Sequence, residues 1–350
     1  MIVDEMPTVG IVLIGRNEGE RFRLCLNSVI GLMIPIVYVD SGSSDGSVTF
    51  AQSMGVSVVR LDASRPFTAA RARNAGLDRL LELHPDVQFV QFVDGDCELI
   101  AGWLERGCEY LCSHSDVAVV CGRRRERFPE RTLYNRICDI EWNGPVGETD
   151  NCGGDSLMRC SMLKEVGVFN DTVPAGEEPE LCQRFHAMGW KVIRLDEEMT
   201  LHDAAMTRFL QWYRRQIRTG YGGLNVASRF GIQRFRRQVR SALAWTLGYV
   251  TVLIGGTFSV SLLAGAWIGT IAGIVLLTIP FVQCLRIGLR IHREKELPLR
   301  LALIYGILTM LSKYIQLVGF LGYWRDRIGG KRARLIEYKD PFTVRAGTVR

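Results

Sequence analysis

Phe89-Val90-Gln91-Phe92-Val93-Asp94-Gly95-Asp96 is the stretch that decides the fold of this chain. A short apolar run stops abruptly at two carboxylates separated by one glycine, which reads as a strand over 89–93 ending at Asp94. Upstream, Ala69–Leu83 has the spacing of a helix, preceded by a strand over Val56–Leu61. Further back lie a strand at Ile36–Val39, a helix over Glu18–Leu32 with Phe22, Leu26, Val29 and Ile30 on one face, and a strand at Val9–Ile14. Downstream, a helix over Trp103–Cys112 precedes strands at Val117–Cys121 and Val192–Leu195. Strands alternating with helices predict an α/β domain whose mostly parallel sheet is flanked by helices.

Ligands of such sheets bind beyond the carboxyl ends of the strands. The polar clusters fall there: Arg16-Asn17-Glu18, then Asp40-Ser41-Gly42-Ser43-Ser44-Asp45, then Asp94-Gly95-Asp96. Ser44 or Asp45 is positioned to cap the next helix. Gly15 and Gly19 do not make the dinucleotide fingerprint, and no P-loop pattern occurs, so a nicotinamide enzyme or an NTPase is disfavoured. Two carboxylates flanking one small residue can share a divalent cation, which in turn neutralises a diphosphate. Oxygen donors suit magnesium or manganese.

These motifs together resemble the family 2 glycosyltransferases of GT-A fold, over about residues 7–223. The match consists of Arg16-Asn17-Glu18 after the first strand, Val39-Asp40-Ser41-Gly42-Ser43-Ser44-Asp45-Gly46, Ala70-Arg71-Ala72-Arg73-Asn74-Ala75-Gly76, and Phe92-Val93-Asp94-Gly95-Asp96, in the family's order. The resemblance implies that Asp40 recognises the nucleotide base. It implies that Asn17, Glu18, Arg71 and Asn74 lie along the nucleotide sugar. Asp94 then faces the ribose or the metal, and Asp96 ligates the metal. Gly176-Glu177-Glu178-Pro179-Glu180 occupies the place of the family's acidic pair, whose second member is the general base. Here that position is Glu178 rather than Asp, and the assignment between Glu177 and Glu178 stays open. Pro179 fits a first helical position, which would set both carboxylates at a helix N-terminus. His202 is similar to a family histidine that completes the metal site or touches the phosphates. Cys152-Gly153-Gly154-Asp155 matches a glycine-rich loop on the acceptor side, implicating Gly153, Gly154 and Asp155. Gln211-Trp212-Tyr213-Arg214-Arg215-Gln216 is loosely similar to the segment of processive members but lacks the Trp after the Arg. Arg214 or Arg215 could still hold the leaving diphosphate.

The formal net charge of +6 is an average of two unlike halves. Residues 1–230 hold 25 Lys and Arg against 32 Asp and Glu, a net −7; residues 231–350 hold 18 against 5, a net +13. From Ser241 to Leu285 no residue is charged, a run of 45. About 20 apolar residues cross a bilayer, so the run suits two helices, near 242–262 and 264–285, with a turn around 263–265. Arg234, Arg236, Arg237 and Arg240 precede it, and Arg286, Arg290, Arg293 and Lys295 follow. Basic flanks on both sides of a hairpin put them, and the front domain, on the cytoplasmic side. A third stretch, 301–324, is interrupted by Lys313 and either spans or lies in-plane. The ten cysteines form no CxxC pair, which disfavours that kind of zinc site and suits reduced thiols. Met1–Pro7 carries Asp4 and Glu5 and no apolar run, so no signal peptide is expected. The run Arg123-Arg124-Arg125-Glu126-Arg127 reads as a solvated face or a contact for anionic headgroups rather than a nucleic-acid patch.

The expectation is therefore a GT-A domain over 1–230, a membrane region over 231–330 and a basic tail over 331–350. With a manganese or magnesium ion, it would move sugar from a nucleotide-diphosphate donor to a lipid-linked or saccharide hydroxyl at the inner membrane face. No nucleic-acid partner is expected, and the sequence leaves the oligomeric state open. Transfer to a polyprenyl phosphate, or a non-catalytic membrane assembly protein of the same fold, are the competing classes.

Overall fold

The computed structural model describes residues 7–230 and 233–330, without the side chains of residues 230–236. The N-terminal residues before Pro7, the side chains of Arg234 and Arg236 in the basic flank, and the tail from Lys331 onward fall outside the described part. The chain divides between Gln211 and Trp212 into two compact units.

The first unit is a nine-stranded mixed sheet with helices. Its elements are β1 (Val9–Gly15), α1 (Glu20–Ile30), β2 (Ile36–Asp40), α2 (Ser47–Ser53), β3 (Ser57–Arg60), α3 (Ala69–Leu83), β4 (Phe89–Asp94), β5 (Cys97–Leu99), α4 (Trp103–Ser113) and β6 (Val117–Glu126). There follow α5 (Leu133–Trp142), β7 (Gly147–Glu148), β8 (Ser156–Arg159), α6 (Cys160–Glu165), α7 (Glu177–Ala187) and β9 (Lys191–His202). The strand order is β3-β2-β1-β4-β8-β6-β9-β5, with β7 on β9. β3, β2, β1 and β4 are mutually parallel, as are β6 and β9, whereas β8, β5 and β7 run antiparallel to their neighbours. β1 and β4 are apolar almost throughout because both faces are covered. The one polar side chain inside β4, Gln91, is fully buried and satisfied: its amide donates to the Phe92 carbonyl and its oxygen accepts from the Trp103 indole, at 2.8 and 2.9 Å.

The glycine of the Arg-Asn-Ala-Gly segment has a packing reason. A Cβ on Gly76 would lie 2.3 Å from a methyl of Val12 and 2.9 Å from one of Val39. Only a bare α-carbon lets α3 settle this closely across β1 and β2.

Register brings the polar loops to one edge. Gly15 pairs with Asp40 and Ile14 with Asp94, so the ends of β1, β2 and β4 stand level. Glu126 and His202 end β6 and β9 in register with each other.

Three expectations need correction. β6 extends to Glu126, and β9 is one 12-residue strand rather than a short strand and a turn. The charged residues continue the strands because they pair across them, as Arg125 does with Glu198 at 2.5 Å. For the same reason the Arg123–Arg127 run is not a free basic face: Arg124, Arg125 and Arg127 are ion-paired with Asp155, Asp139 and Glu98 respectively. Finally, α7 begins at Glu177 after Gly176 turns the chain at φ +88°, so Pro179 is its third residue. Its missing N–H still falls in the first turn, where no intrahelical acceptor exists.

The second unit is helical: α8 (Phe209–Phe230), which begins just before the division, α9 (Gln233–Leu243), a π turn (Ala244–Gly248), α10 (Tyr249–Ala264), α11 (Ala266–Lys295) and α12 (Leu299–Ile328). Gly265, at φ +93°, makes the expected turn between α10 and α11. Three helical stretches, Arg237–Ala264, Ala266–Lys295 and Leu299–Ile328, are long and apolar enough to cross a membrane. Helices α8 and α12 approach through glycines, since a Cβ on Gly220 would sit 2.4 Å from the Gln316 carbonyl oxygen and one on Gly319 2.3 Å from that of Ile217. Gln316 also donates to Gln216 at 3.2 Å across this buried crossing.

Candidate active site

The loops at the carboxyl edge are tied to each other by side-chain hydrogen bonds. The Asp40 carboxylate is 3% exposed and accepts from the Tyr38 hydroxyl and from the N–H groups of Gly42 and Ser43. Asn17, at φ +54°, accepts from the Ser44 N–H at 2.8 Å, while its own N–H donates to the Ser43 hydroxyl at 2.9 Å. Asp45 accepts from Gly19 N–H at 2.7 Å and from Ser47 N–H at 3.1 Å, tying the starts of α1 and α2 together; the N-cap of α2 is Gly46, with no side-chain cap, rather than Ser44 or Asp45.

Beside them Asp94 and Asp96 follow β4. The Asp96 carboxylate is buried and meets His202 Nε2 at 2.8 Å. The His202 ring stacks on Trp142 with centroids 4.5 Å apart, and its Nδ1 is buried with no hydrogen-bond partner among the described residues. Asp94 takes 2.8 Å from Arg73 Nη2 and 3.5 Å from Arg124 Nη2. Burial pushes the Asp94 carboxyl up, but Arg73 and then Arg124 outweigh it and hold the carboxyl below its ordinary range. Ligand atoms of Asp96, Cys97 and His202 lie within 4.8 Å of one another, as do those of Asp94, Cys97 and Asp155. Burial, with Asp155 adding to it, raises the Cys97 thiol well above its ordinary value, which leaves carboxylate oxygens and an imidazole as the effective donors. That set, with one imidazole nitrogen unpartnered, fits manganese or magnesium.

The acidic pair of α7 stands on the other side of Arg73. Glu177 Oε1 is 2.9 Å and Glu178 Oε1 3.5 Å from Arg73 Nη1. The side chain of Glu177 is 4% exposed and that of Glu178 17%, so Glu178 is the one open to a substrate. Burial first, and Glu177 second, push the Glu178 carboxyl up to about 7 against the pull of Arg73. Gly154 covers the Asp94–Arg73 pair so tightly that a Cβ there would lie 2.5 Å from Asp94 Oδ2 and 2.6 Å from Arg73 Nη2. Gly153, at φ +77°, turns the preceding residue.

Several expected residues make contacts within the scaffold. Arg71 donates to the carbonyls of Asp62, Arg65 and Pro66, because residues two apart on a helix face different ways; it is Arg73 that points into the site. Asn74 clamps the backbone N–H and carbonyl of Phe169 at 3.0 and 2.8 Å. Glu18 pairs with Arg21 at 2.7 Å. Asp155, expected beside an acceptor, is fully buried: it accepts from the Asp94 N–H and the Thr200 hydroxyl and is ion-paired with Arg124. Arg214 and Arg215 belong to the helical unit. Sequence reasoning missed Arg73 and Arg124. Each was hidden among neighbouring arginines, and only strand alternation and helix phase distinguish the inward one.

Residues 11–167 match the model of a family described as Glycosyl transferase family 2. The chain is 23% identical over 234 residues to the glycosyltransferase AglE of Haloferax volcanii, covering 63% of this chain and 74% of that protein. It is 24% identical over 229 residues to the pre-mycofactocin glycosyltransferase of Mycobacterium tuberculosis, covering 61% of this chain and 46% of that protein, so the chain spans about half of that relative's length. A mannosyltransferase from Pyrobaculum calidifontis, PcManGT, solved in complex with GDP-Man and Mn2+, has a similar fold: TM-score 0.57 at 14% identity, over 93% of this chain and 89% of that one. Over residues 11–167 the chain is similar to the family 2 glycosyltransferases, and its mixed sheet with flanking helices has the GT-A fold.

Proposed function

We propose that this protein transfers a sugar, with inversion, from a nucleotide-diphosphate sugar to the hydroxyl of a lipid-linked or saccharide acceptor at the inner face of a membrane. The observation that carries the reading is the grouping of Asp94, Asp96 and His202 with Glu177 and Glu178 at one edge of the sheet, linked through Arg73. The donor and ion named for the archaeal mannosyltransferase support a nucleotide-diphosphate sugar and a divalent cation.

Asp96 and His202, with Asp94, would hold the cation, which supplies charge neutralisation for the departing diphosphate. Asp40 and its knotted loop receive the base. Glu178 accepts the proton of the acceptor hydroxyl as the oxygen attacks the anomeric carbon from the face opposite the leaving group. Gly153, whose missing Cβ has no neighbour closer than 4.0 Å, leaves room for the acceptor along the loop. The three apolar helices support a membrane address, and the basic residues flanking them support a cytoplasmic catalytic domain.

The test is thermal-shift screening of the full chain in detergent against UDP- and GDP-sugars with and without Mn2+, followed by transfer to membrane lipid extract. Manganese-dependent stabilisation by one donor and labelled glycolipid are expected. Stabilisation by none of the donors, with no label transferred, would favour a non-catalytic assembly protein; label recovered on a polyprenyl phosphate would replace the hydroxyl acceptor.

A further inference from the structure

Arg73 is 1% exposed, and its guanidinium is the point where three parts of the site meet. Nη2 holds Asp94 at 2.8 Å; Nη1 holds Glu177 at 2.9 Å and reaches Glu178 at 3.5 Å; Gly154 closes over the Asp94 contact. Arg73 issues from α3, Asp94 ends β4, and the two glutamates open α7. No other arginine or lysine is ion-paired to both the strand-end carboxylates and the α7 pair among the described residues.

We propose that Arg73 is a positioning residue: its planar fork sets the distance between the donor-side carboxylate Asp94 and the proton acceptor Glu178, using Glu177 as the rigid strut. This rests on the reading of Glu178 as the base. A guanidinium suits the task because it presents its donors in a fixed plane, whereas an ammonium is a point charge without preferred bidentate geometry. Phe169 backs the guanidinium at 5.4 Å from its ring centroid, and the ring's attraction for the cation keeps the fork in place. Glu177 is buried and its bond to Arg73 is direct, so α7 cannot shift along its axis without breaking that bond. Arg73 thereby joins two elements that the sheet does not connect: β4 carries the donor side, and α7 follows a loop.

The experiment compares wild type, Arg73→Lys, Arg73→Gln, Gly154→Ala and Glu178→Gln as full chains in detergent with Mn2+. The probes are UDP and GDP for binding, and UDP-glucose and GDP-mannose for release of nucleoside diphosphate. Arg73→Lys keeps the charge and loses the fork; it should bind the nucleoside diphosphate within about threefold of wild type yet turn over about 100-fold more slowly, the scale of a misplacement near 1 Å. Gly154→Ala keeps every charged group. Its backbone is outside the left-handed region, so its one cost is the clash that parts Asp94 from Arg73. It should lose turnover in the same sense. In Arg73→Gln the acid limb of kcat/KM should move to higher pH, which a purely structural arginine would not cause. Wild-type turnover in Arg73→Lys and Gly154→Ala overturns the proposal. Full turnover in Glu178→Gln instead overturns the assignment of the base, a different failure.

The pH dependence of the thermal midpoint reads the same geometry without any donor. Wild-type stability should decline as pH rises toward 7, because native Glu178 retains its proton there. In Arg73→Gln that decline should extend to higher pH. Superimposed Arg73→Gln and wild-type curves overturn the proposal, and superimposed Glu178→Gln and wild-type curves overturn the raised Glu178 carboxyl, a separate failure.

Discussion

The two units invert each other's surfaces. In the sheet unit, charge is taken inside: Arg73, Asp155 and Glu177 are 1, 0 and 3% exposed, each matched to opposite charge. In the helical unit, apolar side chains are turned outside, with Leu263 at 89%, Trp267 at 77% and Phe281 at 76%. Burying a charge in protein is tolerable only when partners replace its water, and exposing leucine and phenylalanine in bulk is tolerable only when the surroundings are themselves apolar. The contrast teaches that one chain solves two packing problems: its sheet unit satisfies buried charge with opposite charge, and its helical unit displays stretches long and apolar enough to cross a membrane.

The contrast breaks most completely if the charge cluster is not functional. Asp96→Ala should reduce cation-dependent transfer by at least about 1,000-fold, the scale lost with a principal electrostatic group. Loss of manganese binding by electron paramagnetic resonance should accompany it, and wild-type turnover would remove the metal assignment. Next in size is Ile274→Asp, near the middle of the uncharged part of α11, where Ile274 is 59% exposed. A carboxylate at a helix centre costs about 2.5–3.5 kcal/mol in membrane insertion, so the variant should leave the carbonate-resistant membrane fraction. In water the same exposed substitution would be almost neutral, and unchanged fractionation with an intact fold would sink the lipid reading.

Gly76→Val tests the sheet unit's packing rather than its charge. The added side chain meets Val12 and Val39 at distances no Cβ tolerates, and overpacking of this kind costs about 1–3 kcal/mol. The thermal midpoint should fall by several degrees while the helical unit keeps its circular dichroism.

Proton release gives a milder test with two opposite signs. Glu178 titrates near 7 in the fold and, by its ordinary value, near 4.5 in the unfolded chain. Between those values the native state holds the extra proton, so stability declines as pH rises through the window. With Glu178 as the proposed base, transfer needs its ionised form, so kcat/KM should climb over the upper end of that window and level above about 7. Glu126, pushed to about 7 mainly by burial, adds to the stability slope. Smallest of all, Arg106→Ala removes an exposed pair with Glu197 at 3.3 Å and should change stability by less than about 1 kcal/mol.

Much of the architecture was legible beforehand. Helix α3 runs over the residues its spacing indicated, Gly265 turns between the two apolar helices where a break was required, and Asp94 and Asp96 follow a strand. β5 was not legible, because three residues carry no period, and the long ends of β6 and β9 were hidden by charges that only a partner strand explains. At the site, the acidic residues were legible as a pattern. Their counter-ions were not: Arg71 and Arg73 look alike in sequence, and a turn of the helix decides which one enters.

The amino-acid order by itself determined the alternation of strands and helices, the strand-end carboxylates, the split of charge at residue 230 and the apolar run of 45. These follow from local chemistry, where period and composition act over a few neighbours. Tertiary structure alone decided that Glu178 and not Glu177 is open, that Asp155 is a buried support, and that Arg73 lies between Asp94 and the acidic pair. Such choices depend on side chains 20 to 100 residues apart meeting across a sheet, and burial there sets which charges are paired and which remain free to act.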